Sequence, residues 1–242
     1  MNELSFNFEI NLDFFSDIEV DSKLFETRYI KPPKPSKMPV KCIKYDNALK
    51  LAEDLGRPEK EFRAYAIISG NFIMGDFIEA YIVKHNLHVK ELLVSTLAMS
   101  RENIDSLRNL FEGDYVDKMN LILSDWWFST ERRKLLPYTY QELDNGKFQM
   151  AVSGSHCKIA LIQTYCGKKI VMHGSSNLRS SGNLEQIEIE ENEALFDFNY
   201  EYQHAILEEY KTINKDKEHK VEYKSLRRKK LWQRITHLQP TT

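Results

Sequence analysis

His156 and Lys158 stand two residues apart at the head of an apolar run. In a strand, residues i and i+2 face the same side, so the imidazole and the ammonium point together while Cys157 points away. The run turns at Cys166-Gly167 and returns through residues 169–173 to Gly174-Ser175-Ser176-Asn177. A two-strand hairpin sets its outer ends side by side, which brings Ser175 and Asn177 toward His156 and Lys158. Small residues at that point let backbone N–H groups approach an anion closely. The set is a nucleophile or base, a fixed cation and an amide around a phosphate-sized space.

Each of these groups has a use in phosphoryl transfer. A neutral imidazole can attack phosphorus and hold the phosphoryl group covalently, which splits one hard step into two. Lys158 and Asn177 supply donors for the charge on the non-bridging oxygens. The leaving oxygen needs a proton, and general acid catalysis contributes about 10²–10⁴-fold. Glu185, eight residues past Asn177, is expected to hold one imidazole nitrogen and fix the tautomer of His156.

The segment resembles the phospholipase D-like, or HKD, superfamily. That family's motif reads His-x-Lys, four residues, Asp, a spacer and Gly-Ser-x-Asn. His156-Cys157-Lys158 and Gly174-Ser175-Ser176-Asn177 match it, and Asn183-Leu184-Glu185 looks like the trailing Asn-x-Glu. The resemblance covers roughly residues 63–213 and implies an α/β fold, a mixed-sheet sandwich flanked by helices. It implies His156 as the nucleophile that forms a phosphohistidine, and Lys158 and Asn177 as phosphate ligands. Gly174, Ser175 and Asn183 would line the substrate site, and no metal or cofactor is implied. Gln163 stands where the motif has its Asp, and the spacer before Gly174 is longer than usual. The chain carries one motif. Single-motif members pair as homodimers with two copies of the histidine facing each other, one as nucleophile and one as acid.

The elements that must position these residues follow from periodicity. Residues 64–69 read as a buried strand, and Met74, Phe77, Ile78, Tyr81 and Ile82 have helical spacing. Residues 92–97 are the next strand. Ser100 opens a helix, with Asn103 at the far corner of its capping box. Residues 119–123 form a third strand. Residues 131–141 read as a helix that Pro137 must bend or end. Strands are expected at 148–152, 158–165 and 169–173, a short helix at 47–55 and a long one at 194–213. Alternation of this kind argues for an α/β sandwich with a mixed sheet.

The expected domain organisation is an extension over 1–62 with a proline-rich connector at 31–39, a catalytic domain over 63–213 and a basic tail over 214–242. The first segment alternates Phe6, Phe8, Ile10, Leu12 and Phe14, a strand period. The stretch 211–234 holds ten Lys/Arg against three Asp/Glu, and it favours nucleic acid over lipid as the substrate. Trp126 and Trp127, at a strand end, suit either base stacking or core packing. Arg132, Arg133 and Lys134 suit a phosphate backbone or a solvated surface.

The 242 residues, 42% apolar and 29% charged, suit a globular protein with a real core. A net charge of −2 excludes a globally polycationic protein, so any nucleic-acid surface is a local patch. Three cysteines without metal spacing exclude a disulfide framework and point to a reducing compartment. No targeting segment or membrane span is read, and a cytoplasmic location is expected, in a host cell if the chain is viral. The expected activity is that of a hydrolase: phosphodiester cleavage of DNA, or less readily RNA, by a homodimer off the membrane. The alternative is a catalytically inactive relative that binds nucleic acid or serves assembly.

Overall fold

The structure is a computed structural model that describes residues 41–45 (backbone), 47–69, 73–179 and 183–213. The alternation at 6–14, the proline segment at 31–39, the Ser69-Gly70-Asn71 turn beyond Ser69, and the tail past 213 lie outside the described residues.

Strands alternate with helices in chain order. They are β1 (Lys41–Tyr45), α1 (Ala48–Leu55), β2 (Arg63–Ile68), α2 (Met74–Lys84), β3 (Val89–Thr96), α3 (Arg101–Glu112), β4 (Val116–Ser124), α4 (Asp125–Thr130), α5 (Leu135–Leu143), β5 (Phe148–Ser153), β6 (Ile159–Thr164), β7 (Lys169–Gly174), β8 (Glu185–Glu191) and α6 (Glu193–Tyr210). The eight strands form one sheet in the order β1-β2-β8-β7-β6-β3-β4-β5. Parallel pairs join β1 to β2, β3 to β4 and β4 to β5. The centre is antiparallel, through β2, β8, β7, β6 and β3. The fold is α/β with a mixed sheet, as the sequence predicts. A strand and a helix upstream of residue 63, β1 and α1, are built into it.

Both faces of the central strands are covered, which is why these strands read as continuous apolar runs. Leu121 and Leu123 of β4 pack in the core shared with α1, α2 and α3. Ile122 between them faces the second core, with Phe196, Ile206, Leu207 and Tyr210 of α6. Each such side chain contributes roughly 1.5–3 kcal/mol when fully buried. Local chemistry sets the helix starts. Asn47 accepts from the Lys50 N–H and Asn192 from the Leu195 N–H. Pro137 neither bends nor ends a helix. It is the third residue of α5, where the N–H it lacks has no intrahelical partner to lose.

The sheet topology collects many chain ends at one edge. The C-terminal ends of β2, β3, β4, β5 and β7 meet the starts of β6 and β8 there. The register fixes this: Ser95 pairs with Ile159, Ile159 with His173, Gly174 with Ile187, and Ile68 with Glu185. No described helix is long and apolar enough to cross a membrane.

Candidate functional site

β6 begins at Ile159, so His156 and Lys158 lie in the approach to the strand rather than within it. The connection from Ser153 at the end of β5 crosses the ends of β4 and β3 to reach β6. Its course past β3 is marked by the Ser155 hydroxyl, 3.5 Å from that of Ser95. Ser155 also accepts the Cys157 N–H at 3.2 Å, which tightens the turn. Lys158 Nζ donates to His156 Nδ1 and to the His156 carbonyl, both at 3.1 Å. An ammonium only donates, so Nδ1 is the acceptor and a neutral ring in this arrangement carries its proton on Nε2.

Across the hairpin, Ile159 is directly opposite His173. Gly174, Ser175 and Asn177 therefore follow β7 on the same edge as Lys158 and His156, as the hairpin argument predicts. Gly174 is required by a close approach. A Cβ at this position would stand 2.1 Å from the Gln186 carbonyl oxygen on β8. Ser175 continues the pairing: its N–H donates to the Gln186 carbonyl and its hydroxyl accepts from the Gln186 N–H. The Ser175 hydroxyl donates to Glu185 Oε2. The sequence reading pairs Glu185 with His156, and the structure gives it Ser175 as a hydrogen-bond partner.

The turn that carries Asn177 is held by two buried side chains that sequence reasoning did not assign to the site. The Leu178 N–H donates to Thr96 Oγ1 at 3.2 Å, and the Leu178 carbonyl accepts from Asn103 Nδ2 at 2.9 Å. Thr96 ends β3 and in turn donates to the Ala98 carbonyl at 3.0 Å. Asn103 is wholly buried, and its Oδ1 takes the Ser100 N–H at 2.7 Å. The capping box read from the sequence is real, and the same side chain also clamps the Asn177 turn. Asn177 Oδ1 is shielded from solvent without a hydrogen-bond partner among the described residues. A narrow pocket opens between these elements, lined by Thr96, Lys158, His173, Gly174, Ser176 and Gln186.

Gln163 lies far from this edge. It pairs with Lys169 and Glu91 near the other end of β6, about 13 Å along the strand from Ile159 at 3.3 Å per residue. The residue that departs from the family motif does not touch His156. Asn183 lies at a bend two residues before β8 begins and is exposed on the same edge.

His173, which lines the pocket, stands beside Glu188 and Glu190, with Nε2 at 3.8 and 3.6 Å from their carboxylates. These three offer ligand atoms within 4.8 Å of one another. Arg63 pairs with Glu188 and lies 3.8 Å from Glu190, so a guanidinium already balances their charge. The His173 ring, the Asn192 amide and the Arg63 charge together hold the Glu190 carboxyl below the usual carboxylate range, against the opposing effect of burial.

No protein-family model and no curated protein sequence matches the chain. Solved structures do resemble it. The polyphosphate kinase of Porphyromonas gingivalis is 13% identical with a TM-score of 0.46, over 63% of this chain and 27% of that one. The phosphatidylserine synthase of Haemophilus influenzae is 12% identical with a TM-score of 0.46, over 68% of this chain and 41% of that one. Nuc of Salmonella typhimurium, a phospholipase D family member, is 10% identical with a TM-score of 0.38, over 50% of this chain and 80% of that one. The chain therefore spans well under half the length of the kinase and of the synthase. The likeness is one of fold.

Proposed function

We propose that the chain is a metal-independent phosphodiesterase, a nuclease that cleaves DNA or RNA through a phosphohistidine on His156 at a homodimer interface. One observation carries this reading. The β6–β7–β8 register brings His156 and Lys158 to the same sheet edge as the Gly174–Asn177 turn and the Ser175–Glu185 pair.

In the first step an imidazole nitrogen of His156 bonds to phosphorus and the bond to the leaving nucleoside oxygen breaks. His156 of a second copy gives that oxygen its proton. Water then attacks phosphorus, the nitrogen–phosphorus bond breaks, and the second histidine takes the water proton. Lys158 has a part at the start. Its ammonium occupies the His156 Nδ1 lone pair. An arriving phosphodiester offers anionic oxygens that draw Lys158 away, which frees the ring nitrogen where the substrate stands. The Asn177 amide supports the same reading. A half-turn of its side chain exchanges the unpartnered oxygen for NH₂, a donor of the kind a phosphate oxygen accepts. Ser175, fixed by Glu185, adds a hydroxyl beside the Gly174 backbone, and Asn183 flanks the same edge. Nucleic acid, DNA ahead of RNA, is the proposed partner, because the sequence is basic past residue 211.

The test is cleavage of labelled DNA and RNA in excess EDTA by the wild type and by His156→Ala. Cutting that survives EDTA and vanishes in the variant supports the reading. Binding by both with cutting by neither replaces it with a nucleic-acid-binding protein that has kept the fold.

A further inference from the structure

The two adjacent tryptophans that follow β4 have opposite fates. Trp127 is 1% exposed, with its Nε1 donating to the Met99 carbonyl at 2.9 Å and its N–H to Ser124 Oγ at 3.0 Å. It is a core residue. Trp126 is 48% exposed. Its backbone is nevertheless fixed, because its carbonyl accepts the hydroxyls of Ser129 at 2.8 Å and Thr130 at 3.0 Å. These anchors fix the backbone that carries the half-exposed indole. That arrangement suits binding, since little ordering entropy is left to lose.

Its place in the fold gives the exposure a direction. Ser124 pairs with Ser153 at the ends of β4 and β5. Trp126 is two residues past the first and His156 three past the second, so both project from the same sheet edge. Among the described residues the exposed large apolar side chains are Leu49, Val83, Trp126, Tyr165 and Leu184. Leu49 and Val83 lie on α1 and α2, and Tyr165 lies at the far end of the sheet. Trp126 and Leu184, the latter 76% exposed, bracket the candidate site. Their strands are four spacings apart in the sheet, about 19 Å. The connection from α4 to α5 stays on this edge and carries Arg132, Arg133 and Lys134, all exposed. None of the three has an ion pair among the described residues.

We infer that Trp126 is a stacking platform for an unpaired base of single-stranded nucleic acid lying across the site edge, with Arg132, Arg133 and Lys134 meeting its phosphates. The inference rests on the nuclease reading for its substrate and adds the strandedness. A solvent-exposed indole can stack on any base, but only where that base is not already stacked within a duplex. Three successive free cations beside it supply the backbone attraction that such sites combine with stacking.

The experiment measures anisotropy of a short labelled oligodeoxynucleotide titrated with the full chain, in a His156→Ala background so that nothing is cut. Trp126→Ala should weaken single-strand binding roughly 5- to 150-fold, the equivalent of one base–aromatic stack. Trp126→Phe should keep most of the affinity, and binding of the matching duplex should change less than about twofold. One abasic nucleotide, moved along the strand, should erase the difference between Trp126 and Ala at a single position. Equal weakening of duplex and strand, or no weakening of either, overturns the platform. Cleavage is read separately in the His156 protein. A chain that binds single strands through Trp126 but cuts nothing overturns the nuclease reading and upholds the platform. A chain that cuts single strands with unchanged KM after Trp126→Ala does the reverse.

Discussion

Replacing Thr96 by Val removes one oxygen and keeps the side chain's branched shape. Thr96 is 1% exposed, and its hydroxyl joins the Leu178 N–H to the Ala98 carbonyl. Val at this position leaves both backbone groups unpaired in a region where Leu178 and Ala98 are themselves buried. A buried group without a partner costs about 1–3 kcal/mol, so two that relax partially cost about 2–4 kcal/mol. For a chain of this size that lowers Tm by roughly 4–16 °C. Thr96→Ser keeps the hydroxyl and loses a methyl group, a change worth about 0.5–1.5 kcal/mol by analogy with Ile→Val. Thermal melting by circular dichroism separates the two variants. The same pair should separate in activity, because the Leu178 peptide sets the place of Asn177. A shift of about 1 Å in a phosphate ligand can cost on the order of 10²-fold. Val should therefore lower kcat well beyond Ser when both are assayed below their melting points. Thr96→Val and Thr96→Ser melting within about 0.5 kcal/mol of each other would refute the clamp.

Further predictions concern the strands around it. Gly174→Ala drives a Cβ into the Gln186 carbonyl, a backbone atom that moves only if β7 and β8 part. The expected loss is about 1–3 kcal/mol in urea denaturation, with activity falling alongside. Glu190 has its folded-state pKa held down. It therefore stabilises the fold above the ordinary carboxylate range, near 4.3, and that contribution is lost as pH falls through the depressed value. Glu190→Gln should lower Tm at pH 7 and reduce the drop in Tm seen on acidification below about pH 5, when melting curves of the two proteins are compared. Sedimentation velocity should give a dimer at working concentration. Full activity in a species that sediments as a monomer would remove the second histidine from the mechanism.

The sequence announced its helical and apolar elements well because their cores are two-sided and regular. The spacing of Met74, Phe77, Ile78, Tyr81 and Ile82 predicts α2 at its observed bounds. The strand expected at 92–97 is three residues longer at its start in β3, where Val89 is buried but Lys90 and Glu91 interrupt the apolar run. β8 is absent from the expected elements although Glu188 and Glu190 alternate with Ile187 and Ile189, a strand period; with only those two apolar residues reaching the core, the run is short beside the continuous apolar strands. α4 is illegible for a different reason: six residues give too little periodicity, and Ser124 capping the Trp127 N–H is its one local signal. At the site, the hairpin argument brought His156, Lys158, Ser175 and Asn177 to one edge. It pairs Glu185 with His156, and nothing in the spacing reveals that Ser175 lies directly against β8 and donates to Glu185. Thr96 and Asn103 were out of reach because their contacts to Leu178 span 82 and 75 residues.

The central claim is that phosphorus passes through His156. The most direct measurement incubates the chain with a phosphodiester substrate carrying ³²P at the scissile group and quenches in base while cleavage is under way. Peptides are then mapped by mass spectrometry. The account predicts a base-stable, acid-labile phosphoramidate on the peptide that contains His156, absent from His156→Ala. Cleavage with label on another residue, or undiminished cleavage by His156→Ala, would contradict it.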